Sequence, residues 1–224
     1  YSGVCTLIQG KFVILGHEMF LISLSDAYAP AILNYLYKLG FINKFMNIIL
    51  LKHGTKYSAE DVNKIYVSLS PYTSAKFYCF TEDKTDVIID CIDIPSKPKL
   101  VRWWNKMHLF KKDFELEGKC VLFDLDIKIL SNPFPYINSI DWNYPTFMRD
   151  PWKKDKFFRK HSYDTELNSS ILAWTSRKNY YIWDIFSKNI DYNTRKYKGI
   201  DRYIWDQKLN YGTFDDEIHT NIVL

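Results

Sequence analysis

The feature that most constrains this chain is the stretch Lys119-Cys-Val-Leu-Phe-Asp-Leu-Asp126. A run of apolar residues, Val121 to Phe123, reads as a strand and ends in two carboxylates one leucine apart. Residues i and i+2 of a strand point to the same side, so Asp124 and Asp126 are expected to converge where the strand leaves its sheet. The carboxyl ends of strands are where open α/β sheets bind ligands. Two carboxylates held close together repel each other unless a cation sits between them. Mg²⁺ or Mn²⁺ suits such a pair, since each prefers oxygen and takes one or two carboxylates together with waters and a diphosphate. The pattern therefore points to a metal–diphosphate site; the plainer reading is a strand end with two solvated acids.

What surrounds this stretch sets the fold class. Asn47 to Leu51 reads as a buried strand, followed by the polar loop Lys52-His-Gly-Thr-Lys-Tyr57. Ser58 caps a helix, with Asp61 where a capping box needs its acid. Val62, Ile65, Tyr66 and Leu69 give that helix an apolar face, and Pro71 stops it. A second strand, Lys76 to Phe80, runs into Thr81-Glu-Asp83, and Cys91 to Ile94 is a short strand closed by Pro95. Arg102 to Phe110 is expected to be helical, with Trp103, Met107 and Phe110 on one face. Ile127 to Leu130 is extended. Further strands are expected at Thr146 to Arg149, Ser170 to Trp174 and Thr220 to Leu224, and helices at Tyr180 to Ser187 and Ile200 to Leu209. Strand, helix and strand in succession mean an α/β fold, a mostly parallel sheet with helices on both faces.

Composition narrows the class further. The 224 residues leave room for one full-sized domain. A hydrophobic fraction of 47% with 17% aromatics belongs to a globular chain. The net charge of +4 is spread along the chain, which argues against nucleic acid and suits a small anionic ligand. Cys5, Cys79, Cys91 and Cys120 form no C-x-x-C pair, and the last three lie in apolar runs. They read as reduced thiols in a cytoplasmic compartment. Phe12 to Leu24, broken by His17 and Glu18, is too short to span a bilayer. Residues 1–45 show no clear period beyond a possible helix at Ala31 to Leu39.

From Met46 onward the blocks resemble, in order, a small GT-A-fold glycosyltransferase of the nucleotide-diphospho-sugar transferase type found in bacteria and large viruses. They are Gly54-Thr-Lys-Tyr57, Phe77-Tyr-Cys-Phe-Thr-Glu-Asp83, Trp103-Trp-Asn-Lys-Met-His-Leu-Phe110, Phe123-Asp-Leu-Asp126, Asn168-Ser-Ser-Ile-Leu-Ala-Trp174 and Gly199-Ile-Asp-Arg-Tyr-Ile-Trp-Asp206. The resemblance implies a metal-dependent transfer of a sugar from a nucleotide diphosphate, commonly UDP, to a hydroxyl of a glycan, protein or small molecule. It makes Asp124 and Asp126 the D-x-D that holds Mn²⁺ or Mg²⁺, with Asp124 also on the donor. It puts the loop Lys52, His53, Gly54, Thr55 and Lys56 around the nucleotide, Tyr57 on the base, Asp83 on base or ribose, and Lys106 facing the diphosphate. Asn168 and Ser169 line the sugar pocket, and Asp201, with Asp206 as its rival, lies near the reacting sugar. Asp150 is a pocket-wall candidate, while Trp103 and Trp104 read as packing and not as a sugar platform.

Relatives of this type often take a third metal ligand, a histidine, just after a late strand. Here Asn221 to Leu224 resembles that strand, and His219 precedes it, out of place for a ligand. Because the resemblance begins at Met46, residues 1–45 are expected to be an N-terminal extension outside the native domain, and the missing ligand makes 46–224 a GT-A domain truncated at its C-terminus. Two other functions fit the same centre. Val121 to Asp126 also resembles the first motif of haloacid-dehalogenase-type Mg²⁺-dependent phosphatases, with Asp215-Asp216 as a later acidic motif. The remaining alternative is a non-catalytic nucleotide-sugar binder.

Overall fold

The computed structural model describes residues 6–7, 12–15, 18–21, 46–150 and 165–223. The chain divides into two compact units, residues 1–44 and 45–224. In the first, three short strands form an antiparallel meander: β1 (Thr6–Leu7), β2 (Phe12–Leu15) and β3 (Glu18–Leu21). Leu15 pairs with Glu18, so Gly16 and His17 alone separate β2 from β3 in sequence. The expectation of no strand period here is corrected, because four-residue, nearly continuous apolar runs carry no alternation to read. The expected helix at Ala31 to Leu39, together with Cys5, His17 and His161, lies outside the described residues.

The second unit adds β4 (Met46–Lys52), β5 (Lys76–Thr81), β6 (Asp90–Asp93), β7 (Lys119–Phe123), β8 (Lys128–Ile129), β9 (Thr146–Arg149), β10 (Leu167–Thr175), β11 (Gly212–Thr213) and β12 (Ile222–Val223). Strands β8 and β12 pair antiparallel with each other. The rest form one seven-stranded sheet, in the order β11-β9-β10-β7-β4-β5-β6. Only β10 runs against its neighbours; the other pairings are parallel. The order reverses at β4, which has β5 on one side and β7 on the other. Such a switch point opens a crevice at the strands' carboxyl ends.

Helices cover both faces of the sheet. They are α1 (Ala59–Leu69), α2 (Phe134–Asn138), α3 (Tyr181–Ser187), α4 (Ile190–Lys196) and α5 (Ile200–Asp206), with a long 3-10 helix at Arg102–Phe110. Strand β4 shows why both faces must be covered. Ile48 and Leu50 pack with Val62, Ile65 and Leu69 of α1, while Ile49 and Leu51 pack with Trp104, Met107 and Phe110 of the 3-10 helix and with Phe186 and Tyr203. Ile48, Ile49 and Leu50 are 0% exposed, and each such side chain contributes about 2 kcal/mol by leaving water. The Ser58–Asp61 capping box forms as expected, the Ser58 amide donating to Asp61 Oδ2 at 2.8 Å. Cys79, Cys91 and Cys120 are free thiols, and burial pushes Cys79 and Cys120 up to about 12. No described helix is long and apolar enough to cross a membrane.

Some expectations shift. Arg102–Phe110 is a 3-10 helix, and Trp103 does not share the buried face of Met107 and Phe110: it is 42% exposed. Helical spacing of 3.6 groups Trp103 with Met107, whereas a repeat of three groups it with Lys106. Helix α4 falls where no helix was expected. The last strand shrinks to Ile222–Val223, because Asp216–Thr220 is a 3-10 helix.

His108, on the 3-10 helix, is 1% exposed and stacks on the Trp183 ring at 5.5 Å. Burial, reinforced by the Lys111 ammonium and opposed by a hydrogen bond to the Pro98 backbone and by Asp113, lowers its pKa to about 4. An unfolded chain protonates this histidine below about pH 6.5 and the folded one only near its lowered value, so stability falls as pH drops through that window and is flat above it. Between pH 7 and 5 the wild type is expected to lose about 2 kcal/mol more than His108→Phe, as read by urea unfolding at the two pH values. Equal losses would show that His108 does not set the acid limb.

Candidate active site

Strands β4, β5 and β7 deliver the sequence-marked residues to one edge. The strand part of β7 ends at Phe123, yet the Asp124 amide still bonds Ser170 O at 2.8 Å. Asp126 lies beyond, in a turn. The strand rule that made the two carboxylates converge therefore stops short, and each meets a different element. Asp124 faces the 3-10 helix: Lys106 Nζ stands 2.8 Å from Asp124 Oδ1. Asp126 accepts from Tyr57 Oη at 2.6 Å and from Lys56 Nζ at 3.2 Å.

Lys106 is the hub. Besides Asp124, its ammonium donates to Ser169 O at 2.9 Å and Ser169 Oγ at 3.1 Å. The acceptors come from an irregular start to β10. Against β9, Asn168 pairs with Met148 and Leu172 with Phe147, so residues 169–171 have no counterpart. Bulges of this kind re-aim side chains beside active sites. Asn168 holds this one from within: its Oδ1 accepts from the Ser170 amide at 2.8 Å, a local bond typical of asparagine in turns. Its Nδ2 donates to both carboxylate oxygens of Asp150 at 3.3 Å. Asp150 is 2% exposed.

The β4–β5 side forms a second cluster. Lys52, 4% exposed, bonds the Asp83 carboxylate at 2.8 Å and Asp83 O at 3.1 Å. That ammonium, with the Thr85 amide, holds the Asp83 carboxyl down to about 2. Glu82 accepts from the Gly54 amide at 2.6 Å and lies 3.1 Å from His53 Nδ1. Gly54 has φ 65, a left-handed turn that glycine adopts without strain. Thr55 lies in the same loop, exposed. The sequence reading did not single out Glu82, and Lys56 entered it only as part of the loop. The signal that could have found Glu82 is an acid at the end of the strand neighbouring β4.

The two acids of the D-x-D are electrically unlike. Burial pushes the Asp124 carboxyl up, and the Lys106 ammonium offsets only part of that. Burial would also raise Asp126, but donation from Tyr57 and Lys56 outweighs it and holds its carboxyl low. Both offer only oxygen, the donor set that hard Mg²⁺ or Mn²⁺ prefers, and such ions need no more than two carboxylates when a diphosphate supplies other ligands. The donor chemistry of the pair is compatible with such an ion, with each carboxylate beside its own ammonium, Asp124 by Lys106 and Asp126 by Lys56. Among the described residues no three of His, Cys, Asp and Glu are grouped to hold a metal. His219 is used elsewhere, its Nε2 2.6 Å from Arg149 O.

Asp201 is the second residue of α5, which Gly199 precedes, while Asp206, its rival, closes the helix and is bound by Arg202 Nε at 2.9 Å. The Asp215-Asp216 pair serves locally: Asp215 caps the following 3-10 helix and Asp216 is gripped by Arg149.

A seven-stranded, mostly parallel sheet with one reversed strand and an acidic pair at its switch point is the fold of the GT-A glycosyltransferases. The likeness to solved structures is extensive. The galactosyltransferase LgtC, solved with donor and acceptor sugar analogs, superimposes with a TM-score of 0.54 at 13% identity over 75% of this chain and 73% of that one. GlyE of Streptococcus pneumoniae TIGR4 gives 0.54 at 14%, over 77% of this chain but 46% of GlyE, so the chain spans under half of that protein. A glycosyltransferase involved in glycosylating the major capsid of PBCV-1 gives 0.50 at 11%, over 77% and 82%. At these identities the likeness is one of fold. No protein-family model matches the sequence, and no curated protein does.

Removing one partner of the Lys106–Asp124 pair leaves the other charge stranded. Lys106→Met is expected to cost about 3 kcal/mol in urea unfolding, and adding Asp124→Asn is expected to recover most of it. Simple additivity of the two losses would show that the pair is not coupled.

Proposed function

We propose that this chain is a glycosyltransferase that moves a sugar from a nucleotide-diphosphate donor, a UDP-sugar, to a hydroxyl acceptor. The observation that carries this reading is the Lys106–Asp124–Ser169 hub at the switch point of a GT-A sheet. The loop Lys52 to Tyr57 and Asp83 lie at the ends of β4 and β5, where a nucleotide would rest. Lys106 brings a fixed positive charge to the diphosphate side, already desolvated and so not needing to shed water on binding. Asn168 and Asp201 would flank the sugar, and Asn168 is held in place by Asp150 and the Ser170 amide.

Asp124 and Asp126 would hold Mn²⁺ or Mg²⁺, which supplies Lewis-acid stabilisation of the leaving diphosphate. Tyr57 and Lys56 now occupy Asp126 and would turn toward the nucleotide when the ion is held. The acceptor is a glycan, a protein or a small molecule with a free hydroxyl. The free thiols support a reducing, cytoplasmic setting.

The test is a thermal-shift panel of UDP, GDP, CMP and dTDP, with and without Mn²⁺, followed by donor hydrolysis. One nucleotide at about 100 times its Kd is expected to stabilise the fold by about 2.7 kcal/mol, several degrees in Tm. The shift is expected to vanish with EDTA and in Asp126→Ala, whose own Tm stays near that of the wild type. If no nucleotide stabilises the protein, the transferase reading is wrong. If one binds but no donor turns over, the chain is a nucleotide-sugar binder.

A further inference from the structure

Trp103 is 42% exposed, yet its position is built from two sides. It precedes Lys106 by three residues on the 3-10 helix, and residues three apart in such a helix lie on one face. The indole thus stands one turn from the ammonium that gathers Asp124 and Ser169. The turn presenting it is unusual: Arg102 has φ 54, a left-handed conformation uncommon outside glycine and of the kind that gathers at ligand sites. Asn105, 1% exposed, secures that turn by donating from Nδ2 to Arg102 O at 3.1 Å. From the other side comes the start of α5. Gly199 has φ 145, and a Cβ there would lie 3.3 Å from Cδ1 and from Nε1 of Trp103. A bare backbone therefore lies along the indole edge. The Arg102 guanidinium sits 5.7 Å from the ring centroid, a further restraint.

A solitary exposed aromatic needs no explanation, but one held between a strained turn and a glycine next to Asp201 does. We infer that Trp103 is a platform for a pyranose ring of the acceptor. A pyranose is polar at its rim and apolar across its C–H face, and a fixed indole offers a large apolar surface with one polar N–H at its edge. The location selects acceptor over nucleotide. The nucleotide side lies at the ends of β4 and β5, whereas Trp103 stands between the Lys106 helix and α5, and α5 packs over the β10 side of the sheet. The inference rests on the transferase reading and adds a saccharide acceptor to it.

The indole N–H resonances of the full chain, followed by NMR with UDP and Mn²⁺ present, provide the test. The probes are methyl β-galactoside, methyl α-glucoside and lactose, and Trp103→Phe identifies the resonance. One of these saccharides is expected to move the Trp103 signal. Trp103→Ala is expected to weaken that saccharide about tenfold, while Trp103→Phe keeps most of the affinity and neither variant alters the UDP thermal shift. Gly199→Ala, which presses a Cβ onto the ring, is expected to move the signal without saccharide and to weaken saccharide binding. Equal saccharide binding in Trp103→Ala, or a panel that leaves the signal in place, overturns the platform. A signal moved by UDP alone overturns it in favour of base stacking. Failure of the wild type to bind UDP or any other nucleotide is a separate result: it removes the transferase reading and the platform with it.

Discussion

A lysine ammonium taken almost wholly out of water needs three acceptors, and the end of this sheet supplies them. Lys106 is 4% exposed and meets Asp124, Ser169 O and Ser169 Oγ, which matches the three protons it can donate. The acceptors belong to two different constraints. Asp124 is where β7 stops, and Ser169 is where β10 loses its register with β9. The lysine itself is on the helix that covers one face. A helix, a strand end and a bulge are thereby tied to one charge, and a shift in any of them leaves a buried group unsatisfied, at a few kcal/mol. This tie accounts for an irregular β10 that would otherwise lose pairing for nothing.

The same arrangement divides the edge into two electrical halves. On the β4–β5 side, Lys52 and the Gly54 amide face Asp83 and Glu82, both held ionised below their usual range. On the β7–β10 side, Asp124 is pressed toward neutrality by burial and held back by Lys106. Asp126 lies between them, bound by residues of the β4 loop. An anionic ligand at this edge would meet the ammonium groups of Lys106 and Lys56, each already beside a carboxylate. Preorganised charge of this kind is worth most where water is excluded.

What was legible in the sequence was local. The Ser58–Asp61 cap, the apolar face of α1 and the doubly buried run of β4 each declare themselves within a dozen residues. The D-x-D, Lys106 and Ser169 were each marked separately, but nothing within 63 residues of sequence says that one ammonium joins the helix to Ser169. The bulge in β10 left no pattern, because Asn168-Ser-Ser reads equally well as strand or turn. Trp103 was misassigned because the difference between three and 3.6 residues per turn amounts to one side chain over a single turn. The meander at β1 to β3 was missed because strands this short have no period.

Strand β10 has a further consequence for how the chain comes to be made. It is inserted between β7 and β9 although it follows both in sequence. Until residues 167–175 have left the ribosome, β7 presents Cys120 to Phe123 as a bare, apolar, hydrogen-bonding edge, the kind of surface on which chains pair with one another. Emergence of residues 167–175 is therefore the point at which this edge gains its partner strand. A chain interrupted between β9 and β10 would leave this apolar edge open to pairing with other chains.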